Sequence, residues 1–588
     1  MAEGISRRRL FKATAATAAT AATAAIPATA ARAQTDVDLR TFPSPDLPPY
    51  VDELPIPQTI RGDHRLAMAE STHRFHRDLA PAPTWSYGGA EYLGPTIEAH
   101  ANQRLELTFD NKLGRHLFAE DVDPTLDGAS EESRVKPHTS VHLHGAVTPP
   151  EIDGHPMDVF LPGEHRTYRH ENRQPAAGLW YHDHGMGLTR LNVHAGLAGM
   201  YLLRDEGDTG DRTNAWHLPS GEFELPLILA DRRFHADGSL NYRTLTLVPQ
   251  GHWDGGQIGD RMTVNGKVSP YTNVARGQYR FRVLNASNFR AYHLFFRDRR
   301  PFHVIGNDAG LLDTPVVTTD VRLTPGERAD LVVDFSDLEK GEHVDLINDQ
   351  REAALIALVT GAQPLPDVVR FTSTGAKGHQ QALPTRLRVT KKPSAPDRRR
   401  VVTLTQDLKL TRWPPVGMSL NNLCFEDDPI AMPRQGTTEL WEVVNLTIED
   451  HPVHLHLVNL HLLNRQMFDP VAYSLANPRP PMHTEWAPPP DDFLLGAPQP
   501  PAPWEAGPKD TVNCPQNTVT RFLVHFPTAD ELGFDPDATF TPARHAMSGM
   551  TMAEHDMDMD MDLQGYVWHC HILDHEDDCM MARYRLVQ

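Results

Sequence analysis

Arg104-Leu105-Glu106-Leu107-Thr108-Phe109-Asp110-Asn111 alternates apolar and polar side chains and stops at an asparagine. A period of two marks a strand with one face buried. Two later stretches repeat both the alternation and the closing residue: Gln278-Tyr279-Arg280-Phe281-Arg282-Val283-Leu284-Asn285 and Thr438-Glu439-Leu440-Trp441-Glu442-Val443-Val444-Asn445. The asparagines lie 174 and then 160 residues apart. A second echo follows in each unit: Met200-Tyr201-Leu202-Leu203-Arg204, Asp330-Leu331-Val332-Val333-Asp334 and Arg583-Tyr584-Arg585-Leu586-Val587. Units of this size are too long for a solenoid repeat and suit β-sandwich domains.

The pattern therefore predicts an all-β chain of three similar units over 45–207, 220–372 and 401–588, with a Gly-, Pro- and base-containing linker at 373–400. A Pro-rich excursion, 477–515, interrupts the third unit. It is excluded from a central strand, because proline has no ladder donor, and it is a candidate for shaping a substrate mouth. Residues 545–562, HAMSGMTMAEHDMDMDMD, alternate methionine with acid and predict a loop.

The chain has 588 residues, of which 40% are hydrophobic and 23% charged. That composition is globular. The formal charge of -21 argues against a nucleic-acid partner. Beyond the N-terminus no apolar run is long enough to cross a membrane. The first 33 residues read as an export signal. Ser6-Arg7-Arg8-Arg9-Leu10-Phe11-Lys12 resembles a twin-arginine motif, an Ala/Thr stretch follows, and Ala31-Arg32-Ala33 fits a small-residue cleavage site. The mature chain is expected in the periplasm or outside the cell. Of the four cysteines, Cys424 and Cys514 are read either as a pair formed after export or as two buried thiols.

Histidine is abundant: 32 residues, more than Tyr (13) and Trp (9) together. Four His-x-His pairs occur, His142/His144, His182/His184, His454/His456 and His569/His571. Along a strand, residues i and i+2 share a face and lie roughly 6–7 Å apart, so each pair can offer two imidazoles to neighbouring metals. The first and third units supply two pairs each and the second supplies none. The simplest geometry is a shared metal cluster between the first and third units, with the second as a spacer.

Cys570 lies between His569 and His571 and points to the opposite face of the strand. It would ligate a separate metal behind the cluster. His451, Cys570, His575 and Met580 supply the two imidazoles, thiolate and thioether of a blue-copper centre. Soft sulfur favours copper over magnesium or calcium, and zinc would leave the methionine unexplained.

With these motifs together, His142-Leu-His144-Gly145, Trp180-Tyr-His182-Asp-His184, His451-Pro-Val-His454-Leu-His456 and His569-Cys-His571-x3-His575-x4-Met580 resemble the four copper motifs of the multicopper oxidases over about residues 50–588. Asp153-Gly154, Leu420-Asn421-Asn422 and His575-Glu576-Asp577 resemble the bacterial laccase branch that includes spore-coat laccase, bilirubin oxidase and phenoxazinone synthase. The resemblance implies three cupredoxin-like Greek-key β-sandwich domains and four copper ions. By it, His451, Cys570, His575 and Met580 bind type 1 copper, and His142 and His454 bind type 2 copper. His144, His182, His184, His456, His569 and His571 bind the type 3 pair.

The implied activity is that of a copper-dependent oxidoreductase. It removes one electron at a time from phenols or aromatic amines at type 1 copper and reduces dioxygen to water at the trinuclear cluster. Glu576 and Asp153 are the implied proton-handling acids, with orientation of ligand histidines as their competing role. Met580 as axial ligand implies a modest type 1 potential and easily oxidised substrates. Cys579 departs from the family pattern and is read as a buried small residue or a competing sulfur. A Met-rich insert such as 545–562 resembles those of cuprous oxidases and implies Cu(I) as an alternative reductant. A copper-storage protein without turnover is disfavoured by the complete relay through Cys570, and a two-domain nitrite reductase by the third unit.

Overall fold

The computed structural model describes residues 42–588 except 245–247, 254, 354–355, 358–359, 361, 409–415, 428–430 and 543–561. The expected signal over 1–33 and residues 545–561 of the Met-rich segment lie outside the described residues. The stem of that segment is described: Thr539–Phe540 pairs antiparallel with Leu563–Gln564, and Thr541 Oγ1 donates to Asp562 Oδ1 at 2.6 Å.

The chain is all-β, built as three consecutive sandwiches. Strands between Thr59 and Arg204 form sheets of five and four, those between Glu224 and Lys377 sheets of seven and five, and those between Arg398 and Tyr584 sheets of six and four. Each sandwich encloses its own apolar core, around Tyr87, Phe109 and Tyr181 in the first, Phe281, Phe335 and Phe371 in the second, and Trp441, Phe522 and Trp568 in the third. The described helices are no longer than seven residues, and none is long and apolar enough to cross a membrane.

The strand Leu105–Asn111 alternates buried and half-buried residues as its sequence requires. Its counterpart Gln278–Asn285 is buried on both faces. The polar face there is occupied by Arg280 and Arg282, which pair with Asp208, Glu224 and Asp330 in an enclosed ionic group shared with Arg204. Burial pushes the Glu224 carboxyl up, but Arg204, Arg282 and Arg280 outweigh it and hold it at about 2. A charged face can be buried when each charge is matched and hydrogen-bonded.

The repeated asparagine does the same work three times. Asn111 donates to Pro137 O and Phe160 O and accepts from Leu113 N. Asn285 donates to Arg290 O and Leu323 O and accepts from Ser287 N. Asn445 donates to Glu449 O and Cys514 O and accepts from Thr447 N. In each case the side-chain amide closes the turn after the strand and ties it to a crossing segment.

The second echo is equivalent only in part. Ala198–Arg204 and Met581–Tyr584 each pair antiparallel with a strand that ends in ligand histidines. In the second sandwich, Arg328–Asp334 pairs instead with Gln278–Asn285, and the matching place is taken by Asp367–Lys377 beside His343–Asn348. That strand runs five residues past Thr372, so the stretch without a named strand before Arg398 is shorter than the expected linker. The Pro-rich excursion stays out of the central strands, as expected. Leu494–Gln499 and Thr511–Cys514 are strands, both at sheet edges where proline is tolerated.

Asn285→Ala should lower the unfolding free energy by about 2–4 kcal/mol, since it strands two buried carbonyls and one amide. Thermal unfolding of the variant checks this, and its copper content should match that of the parent.

Candidate metal centres

The four His-x-His pairs sit on two pairs of strands. Val141–His144 lies against Ala177–Asp183 with His142 opposite His182, and His451–Leu455 lies against Tyr566–Cys570 with His454 opposite His569. The two strand pairs face each other across the first and third sandwiches. His142 stacks on His456 with ring centres 3.8 Å apart, and His144 stacks on His454 at 3.7 Å. All eight imidazoles are buried.

One nitrogen of each ring points inward. The inward Nε2 atoms of His142, His182 and His454 are buried without a hydrogen-bond partner. Nε2 of His569 lies 3.3 Å from Nε2 of His184 and 3.2 Å from Nε2 of His456. The Nδ1 atoms of His456 and His569 are already committed as donors, to Asp153 Oδ2 at 2.7 Å and to Cys570 O at 3.1 Å. Burial, followed by neighbouring imidazoles at most of these sites, pulls all eight below the ordinary range, with His184 at about 4. The rings are therefore neutral, and lone pairs converge with no proton between them. Cations among them resolve the repulsion, so this donor set fits a bound metal cluster.

Behind the strand, a second group forms around Cys570. His451 Nδ1 is 3.3 Å and His575 Nδ1 3.9 Å from Cys570 Sγ. Met580 is buried and held by its main chain to both: Cys570 N donates to Met580 O at 2.9 Å, and Met580 N to His575 O at 3.1 Å. The asparagine turn sets His451, because Thr447, whose amide bonds Asn445, accepts a 2.7 Å bond from His451 Nε2. Two imidazoles, a thiol and a thioether together fit type 1 copper. The side chains of eleven of the twelve expected ligand residues are thus brought into two adjacent groups, with Met580 held beside the second by its main chain, and the groups are joined by the bonded run His569-Cys570-His571.

The helical turn Leu573–Glu576 serves both groups. Successive helical residues diverge by about 100°. His575 faces Cys570, while the Glu576 carboxylate lies 3.4 Å from His184 Nδ1 and 3.1 Å from His569 Nδ1. Asp153 takes a matching place, with its carboxylate on His456 and its main-chain oxygen accepting from His142 Nδ1 at 2.6 Å. Gly154, at φ +78°, makes that approach possible; a Cβ there would lie 2.3 Å from Val141 O. Burial raises Glu576 to about 7, against the pull of His184, and raises Asp153 well above the carboxylate range.

A third carboxylate, Asp510, escapes the sequence reading. It accepts from His144 Nε2 at 3.0 Å, and its main-chain oxygen accepts from His454 Nδ1 at 2.8 Å. It lies within the Pro-rich stretch that the sequence relates to a substrate mouth; the only local signal is Lys509-Asp510-Thr511 beside the strand that follows.

A multicopper oxidase family model matches residues 132–208, and a second matches residues 392–553. The laccase of Bacillus subtilis is 35% identical over 561 residues, covering 90% of this chain and 97% of the relative. The chain is a multicopper oxidase. The multicopper oxidase LPR1 homolog 3 of Oryza sativa is 34% identical, covering 89% of this chain and 99% of its own length. The crystal structure of McoA multicopper oxidase from Aquifex aeolicus superposes with a TM-score of 0.67 at 25% identity, covering 91% of this chain and 99% of that one. As in its family, the enzyme is a copper-dependent oxidoreductase that uses oxygen, with four coppers of types 1, 2 and 3.

The cysteine pairing of the multicopper oxidase differs from expectation. Cys424 is bonded to Cys579, with Cα atoms 4.6 Å apart, and not to Cys514. Cys514 faces the third core from the strand paired with His451 and remains a buried thiol, as Cys570 does. Cys579 is buried, as expected, but as half of a disulfide and not as a competing sulfur. Its bond ties the segment before Met580 to the turn after Leu420-Asn421-Asn422, where Met418 N also donates to Asp578 at 3.0 Å.

Burial holds the Cys570 thiol well above its usual range. Copper must displace that proton to gain the thiolate, so loading of the type 1 site weakens as pH falls. The expected slope is about tenfold in affinity per pH unit for one displaced proton. Competition against a copper chelator across pH 6 to 8, read by the blue absorption, measures it.

Proposed function

We propose that the enzyme is laccase-like and takes electrons singly from small phenols or aromatic amines beside His575, passing them to dioxygen bound among the eight clustered histidines. In this reading His451, Cys570, His575 and Met580 hold type 1 copper, His142 and His454 type 2, and the other six histidines the type 3 pair. The bound coppers supply the one-electron and oxygen-reducing chemistry. Cys570 supplies the short bonded path to His569 and His571. Glu576 and Asp153 hold protons against the imidazoles that face oxygen, and their raised proton affinity suits that role.

The observation that carries the substrate class is the surrounding of the outer edge of His575. Its Nε2 donates to Gly255 O at 3.2 Å and lies 3.6 Å from Glu449 Oε2. The Phe289 ring packs edge-on at 5.8 Å. Beyond Phe289 and Glu449 lies a cavity of about 160 Å³, lined by these two, Arg351, Glu352 and Asp450 among others. Burial raises Glu449 to about 8 and Glu352 to about 7. An aromatic wall with a carboxyl at its edge suits a ring bearing a hydroxyl or amine. The same acids favour a second reading, oxidation of a metal cation such as Cu(I), since a cation would ionise them and bind.

Oxygen uptake by the copper-loaded enzyme with a dimethoxyphenol and with Cu(I) separates the two. Faster phenol turnover is expected; faster Cu(I) turnover would establish the metal oxidase instead. Deleting 547–561 should leave phenol turnover in place, and a selective loss of Cu(I) turnover would assign the Met-rich segment to that reaction. Glu576→Gln should slow oxygen uptake with either reductant by about a hundredfold while leaving type 1 reduction in place under anaerobic conditions.

A further inference from the structure

The second sandwich contributes none of the copper ligands among the described residues, yet one of its side chains reaches the trinuclear group. Arg328 opens the strand Arg328–Asp334 and is 2% exposed. A guanidinium carries five N–H donors. Nε donates to Gly178 O of the first sandwich at 3.0 Å. Nη1 donates to Gly326 O at 2.9 Å and Asp510 Oδ1 at 2.7 Å. Nη2 donates to Asp308 O at 2.9 Å and Asp510 Oδ2 at 2.5 Å. All five donors are used, and the acceptors come from all three sandwiches.

The grip is reciprocal. Lys509, next to Asp510, pairs with Asp308 at 2.8 Å and with Glu327, next to Arg328, at 3.1 Å. Gly145 directly follows His144 at φ +86°, and a Cβ there would lie 2.5 Å from Asp510 Oδ2 and 2.8 Å from Arg328 Nη2. The glycine of the first copper motif thus leaves the space that the Arg328–Asp510 pair fills.

We propose that Arg328 is a positioning residue for the trinuclear copper group, acting through Asp510 to fix the tautomer and placement of His144 and His454. Seven of the eight clustered imidazoles present Nε2 inward. His144 alone presents Nδ1, which lies 3.2 Å from His571 Nε2, so its proton must sit on Nε2, where Asp510 accepts it. The main-chain oxygen of the same residue fixes the opposite tautomer in His454. One planar, two-pronged ion pair therefore sets two ligands of different coppers, and lysine lacks the geometry to replace it. The proposal rests on the copper sites of the family and holds for either reductant.

The test uses copper-loaded holoenzyme carrying Arg328→Gln, Arg328→Lys or Asp510→Asn, with Arg280→Gln as a control in the separate ionic group beside Asp208 and Asp330. Arg328→Gln and Asp510→Asn should keep the blue type 1 absorption. Their type 2 paramagnetic resonance signal should shift, and a chelator should extract copper about tenfold faster than from the parent. Arg328→Lys should recover little of this. Arg280→Gln should lose thermal stability with no change in the type 2 signal. If Arg328→Gln fails to fold, Asp510→Asn, which keeps the side chain's shape, decides alone. Parental type 2 signal and extraction rate in Asp510→Asn and in any folded Arg328→Gln, or an equal change in Arg280→Gln, would overturn the proposal.

Discussion

An imidazole binds copper through one nitrogen, and in a dry interior its orientation is set by what holds the other. Eight of the ten ligand histidines have a hydrogen-bonding partner there, and a ninth, His184, has the Glu576 carboxylate 3.4 Å away. Thr447, Asp153, Asp510 and the carbonyls of Asp183, Cys570 and Gly255 take the outward nitrogens. Asp153 and Asp510 each hold two rings, and the Glu576 carboxylate lies beside two. Without these acceptors the buried rings would be free to swap tautomers, and lone pairs would not converge where metals sit. The rest of the architecture brings those acceptors to the rings from distant parts of the chain.

Strand periodicity and helical periodicity divide the labour. Alternation along Tyr566–Cys570 and into His571 sends two histidines to one face and the cysteine to the other, so a single strand serves both copper groups. The turn that follows does the same with His575 and Glu576 by rotation. The two groups of metal-fitting side chains are thereby kept apart in space while remaining a few covalent bonds apart along the chain.

Local pattern explains what the sequence reveals. Alternation ending in asparagine identified the repeated sandwich, and the structure gives the asparagine one role in all three copies. Ligand spacing brought out all twelve copper-binding candidates, because pairs at i and i+2 are enforced by the strand itself. Asp510, Arg328 and the partner of Cys579 were hidden for the opposite reason. Asp510 meets His144 across 366 residues and Arg328 across 182, and Cys579 meets Cys424 across 155, so the neighbouring sequence does not identify the partner in any of them. The second echo misled in the middle sandwich because a short apolar run bounded by aspartates fits more than one strand position. The expected spacer role of that sandwich was likewise a reading from absent ligands, whereas its arginine lies within hydrogen-bonding reach of the carboxylate that orients two of them.

The Cys424–Cys579 bond encloses a covalent loop of 155 residues, and that loop contains both the Pro-rich excursion and the Met-rich segment. Closing so long a loop narrows the unfolded ensemble, with an effect of about 5 kcal/mol in the chain-entropy picture. It also changes what backbone damage means. A protease that cuts once within either excursion leaves two pieces still joined beside Met580. The nicked enzyme keeps its last strand, and Met580 with it, tethered in place.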